Sequence, residues 1–430
     1  MKVFKFGGAC LQHSESVRKL EQLVTSEQSR PLIVVVSAMG KTTQGLEDIF
    51  QKKIAAQPYD VAIQHLYQFH QDIIDHLLRR LRQEAYRALA LWQEQLLETL
   101  AHTTADDTLL DKFYSKVVAG GELIASQLID CYLQERNVTC AWLDARKCIR
   151  TNGAFCNAQV DWTATQHGVR ESIGPLLKKN QVVLTQGFIG SNDEGETTTL
   201  GKEGSDFTGA ILAAILGAQS LTIWKDVPGI MSADPKLFKK AIKFEHISYK
   251  AMAEMAFYGA KVLHPKTIQP LAAHHIPLYV KPFHRFHETG TEVADGVARV
   301  GHPVYTLRKD QVLIQLSLED LTFFDEEYLG EVLHQLTKHN VHTNVLERSA
   351  YTLSICLDAS HSRVGALSAA LNQKFRTRYY ARVHLLTVIG KDENLPNTFL
   401  KGKEILLSQQ SGDICQLVFH HQQQEEVQKD

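Results

Sequence analysis

The chain has 430 residues, 44% of them apolar, and a formal net charge of −2. That is enough for a large core divided among two or three domains, and the balanced charge gives no overall bias toward nucleic acid or an anionic membrane surface. Seven cysteines without CxxC spacing read as reduced thiols of a cytoplasmic protein, the apolar runs at 32–36 and 210–216 are too short to span a bilayer, and polar residues interrupt the N-terminus before any signal-peptide core can form.

The first predicted element is a short apolar strand (Val3, Phe4, Phe6) that carries Lys5 and runs into Gly7-Gly8. The glycines permit a tight turn and a close backbone approach. With a helix starting next, the exposed N–H groups form an anion site, which makes phosphate the first candidate ligand. A solvated lysine beside an ordinary βα turn accounts for the same residues. "PLIVVVSAM" (31–39), "NQVVLTQGFIG" (180–190), "SLTIWKDVPGI" (220–230) and "IPLYVKPF" (276–283) are apolar, β-branched runs, as expected of strands buried on both faces. From about 45 to 136 the pattern is helical and predicts a helical lobe on the αβ core. The Pro-, Gly- and His-containing text from 284 to 304 reads as a domain linker. Beyond it come a strand (310–320), an amphipathic helix (325–340), paired strands (341–359), a helix (362–375) and two further strands at 381–390 and 414–420. Repeated small α+β units of this kind suggest a regulatory module.

The chemistry-bearing segments lie in the first two-thirds. "GKT" at 40–42 ends like a Walker A loop, but that motif needs a glycine where Val35 stands in mid-strand, so a P-loop is excluded. No GxGxxG follows a strand, which weakens a dinucleotide fold, and the paired histidines at 274–275 and 420–421 lack metal-site spacing. A Gly201–Gly204 loop precedes a helix that begins with Ser205, a good N-cap, and Asp206. "WKDVPGIMSADPK" (224–236) ends a strand in two acidic turns, and "FYGAKVLHPKT" (257–267) puts Lys261 ahead of His264-Pro265. "GGELIAS" (120–126) places Glu122 near the start of a helix, where the dipole favours a carboxylate. Each segment also has an ordinary structural account: capping, turn aspartates, a snorkelling lysine.

As an ordered set the segments carry more. "KFGG", "VVVSAMGKTT", "GGELIAS", "LDAR…RTNGAFCNAQVDW", "TQGFIGS…GETTTLGKEGSDFTGA", "WKDVPGIMSADP" and "GAKVLHP" closely resemble the aspartate kinases of the amino-acid kinase family, over nearly the whole chain. The resemblance implies an αβα sandwich around a mainly parallel sheet (1–290) and a C-terminal pair of ACT-like, ferredoxin-like α+β domains (305–430). These would be tandem or interleaved, one completed by the chain's last strand, in a monofunctional enzyme. The implied reaction is phosphorylation of the β-carboxylate of L-aspartate by ATP with Mg²⁺. Lys5 and Asp206 would be catalytic, with Gly7 and Gly8 binding phosphate through their N–H groups. Ser37, Thr43, Glu122 and Lys202 would bind aspartate, Glu122 meeting its ammonium; Lys225, Asp226, Lys236 and Lys261 would bind the nucleotide, and no protein metal site is implied. The chain departs from the family at Ala9-Cys10, Cys156, Lys202, Met231 and Lys236, and the Arg-to-Lys changes lose the fork that grips a carboxylate. Two other readings stay open: a same-fold kinase for another amino-acid carboxylate, and a non-catalytic amino-acid-sensing paralogue. A homodimer is expected, as is an amino-acid effector, with L-lysine placed near Asn344, Glu347 and Ser349.

Overall fold

The computed structural model describes residues 1–104, 107–179, 182–260, 262–296, 301–318, 322–359, 361–390 and 400–421. The chain begins with β1 (Lys2–Phe6), α1 (Ser14–Ser26) and β2 (Leu32–Val36). A lobe of four helices follows: α2 (Thr42–Ile54), α3 (Asp60–Leu77), α4 (Arg82–His102) and α5 (Asp107–Glu135). Then come β3 (Cys140–Leu143), α6 (Trp162–Ser172), α7 (Gly174–Lys178), β4 (Val182–Gln186) and the hairpin β5 (Ile189–Ser191) with β6 (Thr197–Thr199). Next are α8 (Gly204–Leu216), β7 (Leu221–Lys225), β8 (His246–Ile247), α9 (Tyr249–Phe257), α10 (Pro265–Ala273), β9 (Leu278–Pro282) and β10 (Thr291–Val293).

These strands form one sheet in the order β3-β4-β2-β1-β7-β9-β10-β8, parallel throughout except that β10 runs antiparallel to β9. The centre is fully buried, every residue of β2 and β4 included, which is why those segments read as unbroken apolar runs rather than alternating ones. Phe4, Phe6, Val34, Val36 and Trp224 face a core shared with α1 through α5. Residues between them in the pleat, such as Lys5, face the other way, toward α8, whose Gly209 lets the helix approach the Lys5 stem. Helix α8 is apolar on nearly all sides and buried along most of its length. Part of the stretch read as a linker is a strand: β10 completes the sheet through Thr291↔Val280 and Val293↔Ile247. Among the described residues no helix is long and apolar enough to cross a membrane.

Two compact units divide the chain. The first comprises 1–230, 243–253 and 262–299; the second takes 231–242, 254–261 and the remainder from 300. The second contains β11 (Val304–Ser317), α11 (Glu326–Lys338), β12 (Thr343–Arg348), β13 (Thr352–Asp358), α12 (His361–Leu371), β14 (Arg376–Ile389), β15 (Lys403–Ser411) and β16 (Ile414–His421). Its antiparallel sheet has the order β12-β13-β11-β14-β16-β15. The first four strands, with α11 and α12, are a ferredoxin-like βαββαβ unit whose helices pack Val332, Leu336, Val364 and Leu367 on Ile314, Leu316 and Ile355. The far halves of β11 and β14 continue past it: Val304–Arg308 pair with Leu385–Ile389, and β14 pairs onward with β16. The βαββαβ unit and the sheet half formed with β16 and β15 are therefore joined by two long shared strands, β11 and β14. The last described strand, β16, lies between β14 and β15 and so belongs to the far half of the sheet.

Candidate active site

In an open α/β sheet, ligands bind beyond the carboxyl ends of the strands where the winding direction reverses. Here the chain proceeds from β1 outward to β2 on one side and returns to β7 on the other, so the reversal falls between β1 and β7. Lys5 sits near the carboxyl end of β1 and Lys225 is the last residue of β7.

The two ammonium groups meet at Asp206, in the first turn of α8. Lys5 Nζ lies 2.6 Å from Oδ1 and Lys225 Nζ lies 3.0 Å from Oδ2. Asp206 is 1% exposed, and such a carboxylate survives burial only when paired. Burial pushes its pKa up, but Lys225 and then Lys5 overcome that and hold it below the ordinary carboxylate range. Burial also acts to lower the Lys225 pKa, against which Asp206 and Glu203 hold it above its usual value.

Helix α8 starts in an unexpected way. Ser205 was expected as the N-cap; instead Glu203 occupies that position in the left-handed region (φ 57°), and Ser205 lies inside the first turn, buried against Gly187. A Cβ on Gly187 would come within 2.6 Å of the Ser205 Cα, so only glycine lets the β4 end meet the α8 start. No sequence motif marks Glu203. Its Oε2 is buried with no hydrogen-bond partner among the described residues, and burial raises its pKa.

Glu122 is also placed differently from the expectation. It lies in the middle of α5, not at a helix start, so the dipole gives it no support. Gly120 and Gly121 instead allow close packing: a Cβ on Gly121 would meet Ala38 Cβ at 3.0 Å, and one on Gly120 would meet Trp92 Nε1 at 2.8 Å. The approach lets the Ala38 N–H donate to Glu122 Oε1 at 3.3 Å, while Oε2 is buried without a partner among the described residues. Burial pushes the Glu122 pKa up to about 8.

The Gly7-Gly8 turn packs on the same loop, and a Gly8 Cβ would stand 2.7 Å from the Ala38 carbonyl. The Gly7 N–H already donates to the Trp224 carbonyl (3.3 Å), leaving the Gly8 N–H without an internal acceptor among the described residues. Cys10 is buried with its thiol directed at the Trp224 carbonyl, and burial raises its pKa to about 12. Ser37 and Thr43 flank the loop, both half-buried. Lys202 is exposed and Cys156 half-buried beside Ser115. Asp226 follows Lys225 at the end of β7; Lys236 belongs to the second unit, and Lys261 lies outside the described residues. In the second unit Asn344 donates to Gln311 (2.7 Å) and Asp358 (3.0 Å), and Ser349 bonds Thr352, while Glu347 is half-buried on the edge strand β12.

A buried lysine–aspartate–lysine cluster at the switch point of a doubly wound sheet is the equipment of an enzyme that handles a phosphoryl anion. Residues 1–282 match the amino acid kinase family, and the chain belongs to that family and, within it, to the aspartokinases. It is 31% identical over 422 residues to lysine-sensitive aspartokinase 3 of Escherichia coli, covering 94% of this chain and 89% of that one. Two solved structures of the E. coli aspartokinase III are similar at 28% identity, each covering 97% of this chain and 95% of that one. Their TM-scores are 0.81 for the R-state complex with aspartate and ADP and 0.75 for the T-state complex with lysine and aspartate.

Proposed function

We infer that the protein is an aspartate kinase, transferring the γ-phosphoryl group of ATP to the β-carboxylate of L-aspartate. The products are 4-phospho-L-aspartate and ADP, in the first step toward lysine, threonine and methionine. A carboxylate oxygen attacks the γ-phosphorus while the bond to the β,γ-bridging oxygen breaks, and that electron pair leaves with ADP. The attacking carboxylate is already ionised at neutral pH, so no general base is needed. What remains is to bring two anions together and stabilise charge on the phosphoryl oxygens. Lys5, aimed by Asp206, supplies that stabilisation together with the Gly8 N–H and the positive end of α8.

The observation that carries the assignment to an amino-acid substrate is Glu122, a 3%-exposed carboxylate with one oxygen unpartnered among the described residues, which suits an incoming ammonium group. Ser37 and Thr43 line the same loop, and Lys202 would meet the α-carboxylate. Asp226, Lys236 and Lys261 would attend the nucleotide. Among the described residues no three His, Cys, Asp or Glu side chains cluster as a metal cage, and both oxygens of Asp206 are held by lysines. Magnesium would enter as part of the MgATP substrate. Residues 1–290 form the catalytic domain and 305–430 the ACT-like regulatory region of a cytoplasmic homodimer, with lysine as the effector near Asn344, Glu347 and Ser349.

A coupled ADP-release assay with aspartate, glutamate and N-acetylglutamate tests the reading. Turnover with aspartate alone is expected. Preferential turnover of either other acid would move the substrate assignment, and none with any would leave a sensing paralogue.

A further inference from the structure

We propose that Lys225 is a positioning residue of the phosphoryl-transfer step and not a ligand of the nucleotide: it fixes the Asp206 carboxylate that aims Lys5. The proposal rests on the aspartate-kinase reading for its activity arm.

Three observations carry it. First, the Lys225 ammonium has three donors, and two are spent inside the protein, one on Asp206 Oδ2 (3.0 Å) and one on the Val262 carbonyl. Second, the ladder between β1 and β7 sets Phe6 beside Trp224, so the two lysines rise from neighbouring strand ends and take one oxygen each of the same carboxylate. A carboxylate held by Lys5 alone could turn about its Cβ–Cγ bond. With its other oxygen tied to an ammonium that is itself pinned to main chain, it has one orientation. Third, the charges are arranged for an anion: two ammonium groups against one fully buried carboxylate leave an excess positive charge at the tip of β1.

Among the described residues, the other ionisable groups that act on this cluster are Glu203, Cys10 and Asp226, with Glu122 facing Lys5 from α5 and Lys202 beside Glu203. Burial raises the Glu203 pKa and keeps Cys10 a neutral thiol. Without Lys225, Asp206 would lose one of its two cationic neighbours, and its pKa would rise.

The test compares wild type with Lys225→Met, which keeps the apolar stem, and Lys225→Arg, which keeps the charge, using the full chain. For Lys225→Met, kcat is expected to fall about tenfold or more with KM for aspartate and for ATP changed less than about threefold, the split of a group acting in the transition state. Its acidic limb of kcat should move to higher pH, and Lys225→Arg should restore the limb and part of kcat. Denaturant unfolding provides an arm independent of activity. In wild type the depressed Asp206 pKa contributes stability above the unfolded-state value near pH 4, lost as pH falls through the folded value. The stability deficit of Lys225→Met should therefore be larger at pH 7 than at pH 4. If that variant does not fold, Lys225→Gln reads the same loss of charge while keeping two donors. A tenfold rise in KM for ATP with unchanged kcat would make Lys225 a nucleotide ligand and overturn the proposal. So would a deficit equal at both pH values with kcat intact. Absence of wild-type turnover would sink the kinase reading, while the unfolding arm would still decide whether Lys225 fixes Asp206.

Discussion

Glu122 combines a raised pKa with an orphaned oxygen, and the combination has a measurable cost and use. Its folded pKa, about 8, lies above the ordinary carboxylate value because burial opposes ionisation. The folded enzyme therefore holds a proton there that the unfolded chain releases between about pH 4 and 8, and Glu122 lowers stability increasingly as pH rises through that window. An amino-acid ammonium needs the ionised form, so aspartate binding must expel the proton. The apparent aspartate affinity should rise by up to about tenfold per pH unit from pH 6 to 8 and level off above, with proton release visible when calorimetry is repeated in buffers of different ionisation heat. Glu122→Gln should abolish the pH dependence, weaken aspartate binding, and be more stable than wild type at pH 8 by a wider margin than at pH 5. An affinity flat across this range would remove Glu122 from the ammonium site. Lys5 makes the complementary case. Removing its ammonium leaves Asp206 still paired with Lys225, so the buried carboxylate is not stranded and the fold should persist. Lys5→Met should instead lose about 10²-fold or more in kcat with smaller changes in KM; near-normal turnover would rule out the role given to it.

At the scale of elements, the site depends on how closely β4 approaches α8 and α5 approaches the loop after β2, and glycines set those distances. Gly187→Ala would drive a Cβ to 2.5 Å from Ser205 Cβ and 2.6 Å from its Cα, contacts with main chain that no rotamer change relieves. The start of α8 must shift, and Asp206 with it. We expect a loss of about 1–3 kcal/mol in stability, typical of overpacking, and a fall in kcat that exceeds any change in KM for ATP. Stability and turnover both within error of wild type would mean that α8 can yield without moving Asp206. This dependence on packing explains which elements the sequence made legible. β2, β4 and β7 are buried on both faces, and their apolar runs announce them. Asp206 and Lys5 could be named by their motifs. Their partnership with Lys225 could not, because it exists only in the register that sets β1 beside β7. Gly120-Gly121 read as a helix start because glycine usually punctuates; the packing that puts them in mid-helix involves Ala38 and Trp92, both distant in sequence. Ser205 read as a cap because the left-handed Glu203 before it has no sequence signature. β15 went unread, being a largely exposed edge strand without a clean alternation of apolar residues, and β10 was hidden in a Gly- and His-bearing stretch only three residues long in its paired part.

For the whole molecule, control by an amino acid requires the catalytic and ACT-like regions to share one equilibrium, whatever their arrangement. In the second unit, the Asn344 side chain is already committed to Gln311 and Asp358, so an effector using it must replace those bonds or take the remaining capacity of Glu347 and Ser349 on the rim of β12. Lysine inhibits only if it binds the less active state more tightly than the active one. A coupling of about 1–3 kcal/mol, the usual size for allostery, corresponds to roughly 5- to 150-fold in affinity. Linkage then demands that saturating aspartate with a non-hydrolysable ATP analogue weaken lysine binding by the same factor that lysine weakens theirs. Calorimetric titration of lysine into free and substrate-loaded enzyme measures one side, and titration of aspartate with and without lysine measures the other. Equal factors above fivefold are expected, and Glu347→Ala should reduce lysine affinity without altering turnover in its absence. Failure of millimolar lysine to bind would reject the effector while leaving the kinase assignment intact. Binding with no reciprocal change would mean that the site exists but is uncoupled from catalysis.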